Sequence, residues 1–210
     1  MSSGPPIAQQ LSRTIEQDAS ERTRRIPMGK AIITVQMSAD GSIGPNIGWF
    51  EGGEQEDAGE DELRLADALL LGRKTYEALS PIWLKTTGEF ADRVNSIPKY
   101  VASTSLVEPL AWNASLIKGD LVEEVRRLKA HHTGNLLSYG CGELAFNLVR
   151  HGLVEEVHFW VHPIVWSEPA RPFHGLGHVR MNRKDTRVFR SGVTLQNYEP
   201  VSVEEYVYGE

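Results

Sequence analysis

The 210-residue chain has few of the features that mark secreted, membrane or nucleic-acid-binding proteins. Its one cysteine, Cys141, cannot form a disulfide within the chain, so we expect a reducing, cytoplasmic location. No run approaches the ~20 apolar residues of a membrane-spanning helix, and the polar N-terminus shows no secretory signal pattern. The net charge of −6 argues against a nucleic-acid partner. One soluble globular domain, or one domain with a tail, is the remaining expectation.

Several motifs of known chemistry are also missing. There is no GxSxG elbow of a serine hydrolase and no complete GxGxxG fingerprint of a dinucleotide-binding turn. The pairs His131-His132 and His158/His162 lack cysteine or carboxylate partners at ligand spacing, so no metal site is predicted. Cys141 could be a nucleophile, but the seven histidines form no recognisable pattern that would supply its base.

The order of elements predicts an α/β fold in residues 29–210, preceded by a polar N-terminal extension over residues 1–28. Short apolar runs predict strands, and segments with helical spacing lie between them. This alternation indicates a three-layer α/β/α domain with a mostly parallel sheet. A hairpin turning at Ser191-Gly192, followed by the strand EEYVYGE, would add an antiparallel C-terminal edge. The predicted strands are 31–37, 99–104, 115–119, 136–139 and 155–165, with 167–180 as a loop. The segment 61–72 is predicted to run from a helix into a further apolar strand.

Three strand ends carry residues that suit an anionic ligand. Glycines at 140 and 142 would let a ligand approach the backbone, and the helix start beyond them offers unpaired N–H groups. At 72–75 two cations sit on the first turn of a helix, where they make sense if an anion lies nearby. Hydroxyls at 103 and 104 could bind a ribose or a phosphate. Each turn alone could be ordinary loop chemistry, but together they suggest a dinucleotide lying across the strand ends.

These segments resemble the dihydrofolate reductase-like superfamily. Within it they are most similar to the bacterial group related to the C-terminal reductase domain of the bifunctional riboflavin-biosynthesis deaminase/reductase. The resemblance rests on ITVQMSADGSIG (33–44), ADALLLGRKTYE (66–77), KYVASTSL (99–106), GDLVEEVRRLKA (119–130) and the segment LLSYGCGELAFNLVRHGLVEEVHFWVHPIV (136–165). It covers residues 30 to about 175 and implies a reduced nicotinamide cofactor, usually NADPH, with NADH not excluded.

The resemblance also implies which residues surround the cofactor. The 72–75 turn and the strand-end hydroxyls would hold the adenosine half, the glycine turn the pyrophosphate, and the first strand and its loop would border the nicotinamide. Trp49 would lie at the mouth of the substrate site. The residues carried over for the cofactor are Val35, Gln36, Ile43, Gly44, Gly72, Arg73, Lys74, Thr75, Ser103, Thr104, Gly140, Cys141, Gly142, Glu143 and Leu144.

The substrate end departs from dihydrofolate reductase. The acidic residue expected on the first helix falls in the cluster 54–62, where the spacing from Gly72 favours Glu56 or Asp57 as the catalytic acid. Gln36 replaces a small residue, and Val161 stands where a threonine would contact a pterin.

We therefore predict an NADPH-dependent, homodimeric reductase that transfers hydride to a small conjugated heterocycle. The alternatives are a riboflavin-pathway ribosylaminopyrimidine reductase and a non-catalytic nucleotide-binding protein on the same fold.

Overall fold

The computed structural model describes residues 28–44, 49, 53–175 and 177–204. Within these ranges one eight-stranded sheet has the order β4-β3-β2-β5-β1-β6-β8-β7. The first six strands in sequence are mutually parallel, and β8 and β7 extend the sheet with antiparallel pairs. The elements are β1 Ala31–Ser38, α1 Glu54–Arg64, β2 Ala66–Gly72, α2 Arg73–Trp83, α3 Glu89–Ser96, β3 Lys99–Ala102, β4 Ala114–Leu116, α4 Leu121–His131, β5 Asn135–Tyr139, α5 Glu143–Arg150, β6 Glu156–His162, β7 His178–Val188 and β8 Thr194–Glu204.

Helices cover both faces of the parallel part of the sheet, which confirms the predicted three-layer fold. On one face, Leu63 of α1, Tyr76 of α2 and Val94 of α3 pack against strand side chains such as Leu69. On the other face, α4 and α5 share a core with alternate residues of the same strands. Because both faces are buried, the central strands read as continuous apolar runs rather than as alternating patterns.

Local chemistry explains where the helices begin and end. Asp120 caps α4, and its side chain accepts a hydrogen bond of 3.0 Å from the backbone N–H of Glu123. After α5 the chain turns at Gly152, whose φ of 62° lies in the left-handed region. The short helix α3 was not predicted; its eight residues, with Phe90, Ala91 and Val94 as the apolar ones, are too short a segment to show a periodic pattern.

The antiparallel edge is confirmed, but it begins earlier than predicted. Residues 178–180 belong to β7 and not to the predicted loop over 167–180. In the strand HVRMNRKDTRV only Val179 and Met181 are half-buried and pack beside the core, and the other residues are exposed. Two apolar positions are too few for the alternation by which strands are recognised. The proposed last strand EEYVYGE falls mostly outside the described residues, as does the N-terminal extension up to residue 27. In the described part of the chain, none of the helices is long and apolar enough to span a membrane.

Candidate functional site

The predicted ligand loops lie side by side at the carboxyl edge of the sheet. Strands β3, β2, β5 and β1 are consecutive neighbours, and each is followed by one of these loops. With about 4.8 Å between strands, the row from β3 to β1 spans about 14 Å. Loops that are distant in the sequence thus form one continuous edge, as an elongated ligand requires.

Two of the turns touch each other. Gly140, at the end of β5, has φ 102°, and a Cβ atom there would lie 3.3 Å from Thr75 Oγ1 on α2. A Cβ atom at Gly72 would lie 3.8 Å from Leu144 Cβ on α5. The β2–α2 and β5–α5 turns therefore form one cradle, and only glycine fits Gly140 without strain.

The helices beyond these turns begin without side-chain caps. The N-cap residues are Gly72 for α2 and Gly142 for α5, and neither makes a side-chain capping bond. Asp120 caps α4, whereas α1 and α3 also begin at glycines, Gly53 and Gly88, without a side-chain cap. The pair α2 and α5 differs from these helices because their starts adjoin each other where Gly140 lies against Thr75. Two adjacent helix N-termini with free N–H groups form a site for an anion such as a pyrophosphate.

Charges on the two first turns differ. Arg73 and Lys74 on α2 are exposed, and Arg73 Nη1 lies 2.8 Å from Glu77 Oε2 in an i,i+4 ion pair. Glu143 opens α5 and is also exposed, which suits the positive end of that helix. The surplus positive charge of the cradle therefore lies on the α2 side, next to the end of β3.

Cys141 lies between the two glycines of the β5–α5 turn, but its thiol is not activated. The residue is 8% exposed, and burial raises the pKa of the thiol to about 11. A helix start should lower this pKa, yet desolvation outweighs that effect. The nucleophile alternative raised by the sequence therefore lacks the thiolate on which it depends.

The hydroxyls after β3 are only partly available. Ser103 is half-buried, and its Oγ accepts hydrogen bonds from the backbone N–H groups of Ser105 and Leu106 at 3.2 and 3.0 Å. Ser103 thus stabilises its own turn as an acceptor, and these two bonds leave its hydroxyl proton available for donation to a ligand. Thr104 is exposed at the same edge. Their contribution to ligand binding stays a prediction.

The loop after β1 forms the other end of the row. Val35 is buried in the core beneath α5, so only its backbone can border a ligand at this edge. Ile43 packs beside the same core, and Gly44 is exposed with the Trp166 indole above it. A Cβ atom at Gly44 would lie 3.0 Å from Trp166 Nε1, so the indole depends on glycine at this position.

Beside this loop, aromatic and polar side chains from β1 and β6 cluster together. Gln36 Oε1 lies 2.7 Å from His162 Nε2, and burial lowers the pKa of His162, which favours the neutral ring. Trp49 is 8% exposed, with its ring centroid 5.4 Å from those of both His162 and Trp166. The Nε1 atom of Trp49 is buried without a hydrogen-bond partner. Trp49 is thus buried against His162 and Trp166, and its predicted place at the mouth of the substrate site stays a prediction.

The acids of α1 separate into two groups. Glu56 and Asp57 are exposed, and their predicted catalytic role stays a prediction. Glu62 instead faces the sheet with its side chain 10% exposed. Its Oε1 accepts a hydrogen bond of 2.8 Å from Thr34 Oγ1 and also bonds His158 Nδ1. One sequence signal could have found Glu62, because positions 55, 58 and 62 have helical spacing and so share one face of α1. In the structure residues 55 and 58 of that face are buried.

His158 is held between two carboxylates. Its Nδ1 contacts Glu62, and its Nε2 lies 3.1 Å from Glu156 Oε2. Burial opposes the imidazolium, but the hydrogen bonds and charges of the two carboxylates outweigh burial and raise the pKa of His158. Burial likewise opposes the Glu156 carboxylate, yet bonds from His158 and Lys30 lower the pKa of Glu156. These side chains line an open cavity of about 250 Å³ next to the amino ends of β1, β5 and β6.

Comparisons with known proteins agree with this architecture. The family described as "RibD C-terminal domain" matches residues 30–195. The chain belongs to this family. The Bacillus subtilis protein YyaP, described as uncharacterized, is 32% identical over 140 residues, which is 63% of this chain and 73% of YyaP. Membership agrees with the resemblance noted in the sequence to the group related to the C-terminal reductase domain of the riboflavin-biosynthesis deaminase/reductase.

Solved structures show the same fold at low sequence identity. A putative riboflavin biosynthesis protein from Shewanella superposes with TM-score 0.63 at 21% identity, covering 82% of this chain and 99% of that one. Dihydrofolate reductase from Enterococcus faecalis, solved in complex with NADP(H), superposes with TM-score 0.53 at 13% identity, covering 83% and 98%. The dihydrofolate reductase-like fold expected from the sequence is thereby confirmed.

Proposed function

We propose that the protein is an NADPH-dependent reductase that transfers hydride to a small conjugated heterocycle. The observation that carries the proposal is the cradle of two uncapped helix N-termini, joined where Gly140 lies against Thr75. An elongated phosphate-containing ligand fits such an edge, and the family of the chain is one of reductases. When bound, the nicotinamide would supply the hydride, and the chain would bind and orient it.

Each part of the edge would hold one part of this cofactor. The N–H groups that follow Gly72 and Gly142 would bind the pyrophosphate, with Thr75 beside them. The hydroxyls of Ser103 and Thr104 would bind the adenosine half. The backbone from Val35 to Gln36 and the loop at Ile43 and Gly44 would border the nicotinamide. The cradle suits the cofactor because its backbone donors are uncapped and Gly140 leaves no side chain in the way.

The choice of NADPH rests on the charge of α2. A 2′-phosphate beside the adenosine half would need a cation, and Lys74 is exposed and makes no ion pair with the described residues. Arg73 is already paired with Glu77, so Lys74 is the first residue to test. NADH lacks this phosphate, and a preference for NADPH should therefore depend on Lys74.

The substrate would lie on the face of the sheet that carries Gln36, His162 and Trp49. This region offers indole and amide N–H donors rather than a carboxylate, and Val161 lies on the opposite face of β6. A ring with carbonyl acceptors suits it better than the amino-substituted ring of a pterin. We propose that the proton accompanying the hydride comes from water or from an α1 acid; Glu62 is the one that the structure buries against the sheet.

A second candidate is a stand-alone reductase of a ribosylaminopyrimidine, which family membership favours. The two candidates differ in substrate and not in cofactor. A panel containing dihydrofolate, an aminouracil and its ribosylamino derivative would separate them, with NADPH oxidation followed by absorbance at 340 nm. NADPH oxidation with the ribosylamino derivative alone supports the second candidate, whereas cofactor binding without turnover of any substrate supports a non-catalytic role.

The cofactor itself is tested by titrating the protein with NADPH and following nucleotide fluorescence. Wild-type protein should bind, and Gly140→Val should not, because the valine side chain would meet Thr75 in the cradle. Gly59→Ala is the matched control, since a Cβ atom at this α1 position contacts nothing within 4 Å. Absence of NADPH binding to wild-type protein at millimolar concentration would refute the proposed function.

We also infer a homodimer in the cytoplasm. The exposed strand β7 forms an open edge of the sheet, and such edges are usually covered. Cys141 is a free, buried thiol, which agrees with a reducing compartment. Light scattering coupled to size-exclusion chromatography should give twice the mass of the 23.4 kDa chain, and a monomer at micromolar concentration would contradict the inference.

A further inference from the structure

One carboxylate joins the two loops at the nicotinamide end of the edge. The first loop, residues 39–44, follows β1, and the second loop, residues 163–175, follows the neighbouring strand β6. Asp40 of the first loop accepts hydrogen bonds from the backbone N–H groups of Trp166 and Ser167, both at 3.1 Å. Within its own loop, Asp40 accepts from the hydroxyls of Ser38 at 2.5 Å and Ser42 at 2.8 Å.

The four donors are divided evenly between the two carboxylate oxygens. Oδ1 accepts from Ser38 and Trp166, and Oδ2 accepts from Ser42 and Ser167. Led by the Ser38 bond, these donors hold the pKa of Asp40 well below its usual range. Two consecutive backbone N–H groups directed at one anion form a nest, and Ser167 occupies it with φ 57°, a conformation that side chains other than glycine rarely adopt.

The second loop transmits this attachment to the rest of the site. Its Trp166 indole lies over Gly44, where a Cβ atom would be 3.0 Å from Nε1. Farther along, the N–H of Phe173 contacts the carbonyl of Cys141 in the pyrophosphate turn at 3.4 Å. The same loop thus borders both the Gly44 end and the glycine turn, and its position relative to the first loop sets the width of the edge between them.

We propose that Asp40 is a positioning residue for the nicotinamide half of the cofactor: it fixes the first loop to the second loop and thereby places Gly44 and Trp166. The inference rests on the proposed function. Asp40 makes no contact with the α2 turn or with the hydroxyls after β3, so the adenosine half is held independently of it.

Asn at position 40 keeps the shape of the side chain but removes its negative charge and one of its two acceptor oxygens. One acceptor oxygen would become an amide N–H₂ group, which faces a hydroxyl and a backbone N–H. The hydroxyl can rotate to accept a hydrogen bond, but the N–H of Trp166 or Ser167 cannot, so one bond between the loops is lost. The other contacts between the loops, such as Ala39 N–H to Ile164 O at 2.8 Å, remain and should preserve the fold.

The test compares two ligands on two variants. Full-length wild type, Asp40→Asn and the control Asp67→Asn are titrated with NADPH and with adenosine 2′,5′-bisphosphate, which has no nicotinamide half. Asp67 on β2 is a matched control because it also accepts a backbone N–H, that of Gly134 at 2.7 Å, and lies at the start of β2, away from the carboxyl edge.

Asp40→Asn should raise the Kd for NADPH about tenfold, the change expected from losing one hydrogen bond to a charged group. Its Kd for adenosine 2′,5′-bisphosphate should equal that of wild type, and Asp67→Asn should change neither Kd. The inference is overturned if Asp40→Asn binds NADPH as tightly as wild type. It is also overturned if the variant loses affinity for NADPH and for adenosine 2′,5′-bisphosphate to the same extent. If wild type binds no NADPH, the proposed function fails as well, which distinguishes the two failures.

As a second measurement, amide hydrogen exchange in the free proteins reports on the loops directly. Residues 164–171 should exchange faster in Asp40→Asn than in wild type, while the helix α4 exchanges alike in both. Unchanged exchange in the second loop would show that Asp40 does not hold it, whatever the binding data give.

Discussion

The buried pair of Glu62 and His158 gives a quantitative prediction about stability and pH. Both bonds of the Glu62 side chain, to Thr34 and to His158, end on the same oxygen, Oε1. A glutamine at this position keeps an oxygen there and can accept both hydrogen bonds. Glu62→Gln therefore removes the charge and leaves the geometry of the contacts, which few substitutions of a buried acid achieve.

The magnitude follows from the difference between charged and neutral hydrogen bonds. A bond to a charged group contributes about 1.5–3 kcal/mol and a neutral one about 0.5–1.5 kcal/mol, so the variant should lose about 1–2 kcal/mol of unfolding free energy. For a chain of this length, 1 kcal/mol corresponds to about 2–4 °C in Tm. Because both side chains are only 10% exposed, solvent screening should reduce this little.

The pH dependence has a definite sign. The folded-state pKa of His158 is raised above its unfolded value, so the stabilisation is complete below the unfolded pKa of about 6.5 and disappears as pH rises through the folded value. The gap between wild type and Glu62→Gln should therefore be widest near pH 6 and smaller at pH 9. Urea unfolding followed by tryptophan fluorescence at both pH values measures it.

The control for this prediction is a variant that loses an exposed acid instead of the buried Glu62. Glu123→Gln removes an exposed acid, with a side chain 66% exposed in its pair with Arg126, and should change stability little at either pH. The reasoning is refuted if the Glu62→Gln gap is the same at pH 6 and pH 9. It is also refuted if the His158 ring titrates at an unshifted pKa by NMR.

Three further substitutions test other parts of the structure. Gly140→Ala should cost about 1–3 kcal/mol because φ is 102°, while Gly72→Ala, with φ −77° and a Cβ contact of 3.8 Å, should be nearly neutral; urea unfolding compares them. Cys141, with its pKa raised to about 11, should resist iodoacetamide at pH 8 until urea unfolds the protein, and rapid labelling of the native state would contradict its burial. Burial lowers the pKa of Lys99 to about 8, so the unfolded state binds the extra proton between pH 8 and 10.5. Across that pH range the free energy of unfolding of wild type should rise by about 3 kcal/mol relative to that of Lys99→Met. Parallel pH profiles of the two proteins would contradict this prediction.

The sequence predicts the central sheet well because its signals are local. Runs such as 31–37 and 66–72 are mostly apolar, since both faces of the strands are buried, and a glycine marks the end of β2 at residue 72. The cradle is predictable for the same reason: in a parallel sheet all strand ends that lead into helices lie at one edge. Elements that are recognised from their own sequence pattern, such as β1 and β2, therefore occur in the structure.

The features that the sequence does not reveal depend on contacts between distant elements. Glu62 and His158 are 96 residues apart and meet only because α1 lies on the face of the sheet to which His158 of β6 points. The hydrogen bonds of Asp40 reach 126 residues along the chain to Trp166 because β1 and β6 are neighbours. Strand β7 is hard to recognise in the sequence for another reason: apart from the half-buried Val179 and Met181 its side chains are exposed, and backbone pairing with β8 holds it in place.

The position of β5 has a consequence for how the cradle comes into being. This strand is the fifth in sequence but lies between β1 and β2, which are made first. The turns at Gly72 and Gly140 are 68 residues apart, so they come together as a cradle only after β5 has inserted between β1 and β2. A chain growing from its N-terminus would gain nucleotide affinity only late in synthesis, and it would do so in one step. Nucleotide binding by stalled nascent chains of increasing length would then show the chain length at which β5 completes the central sheet.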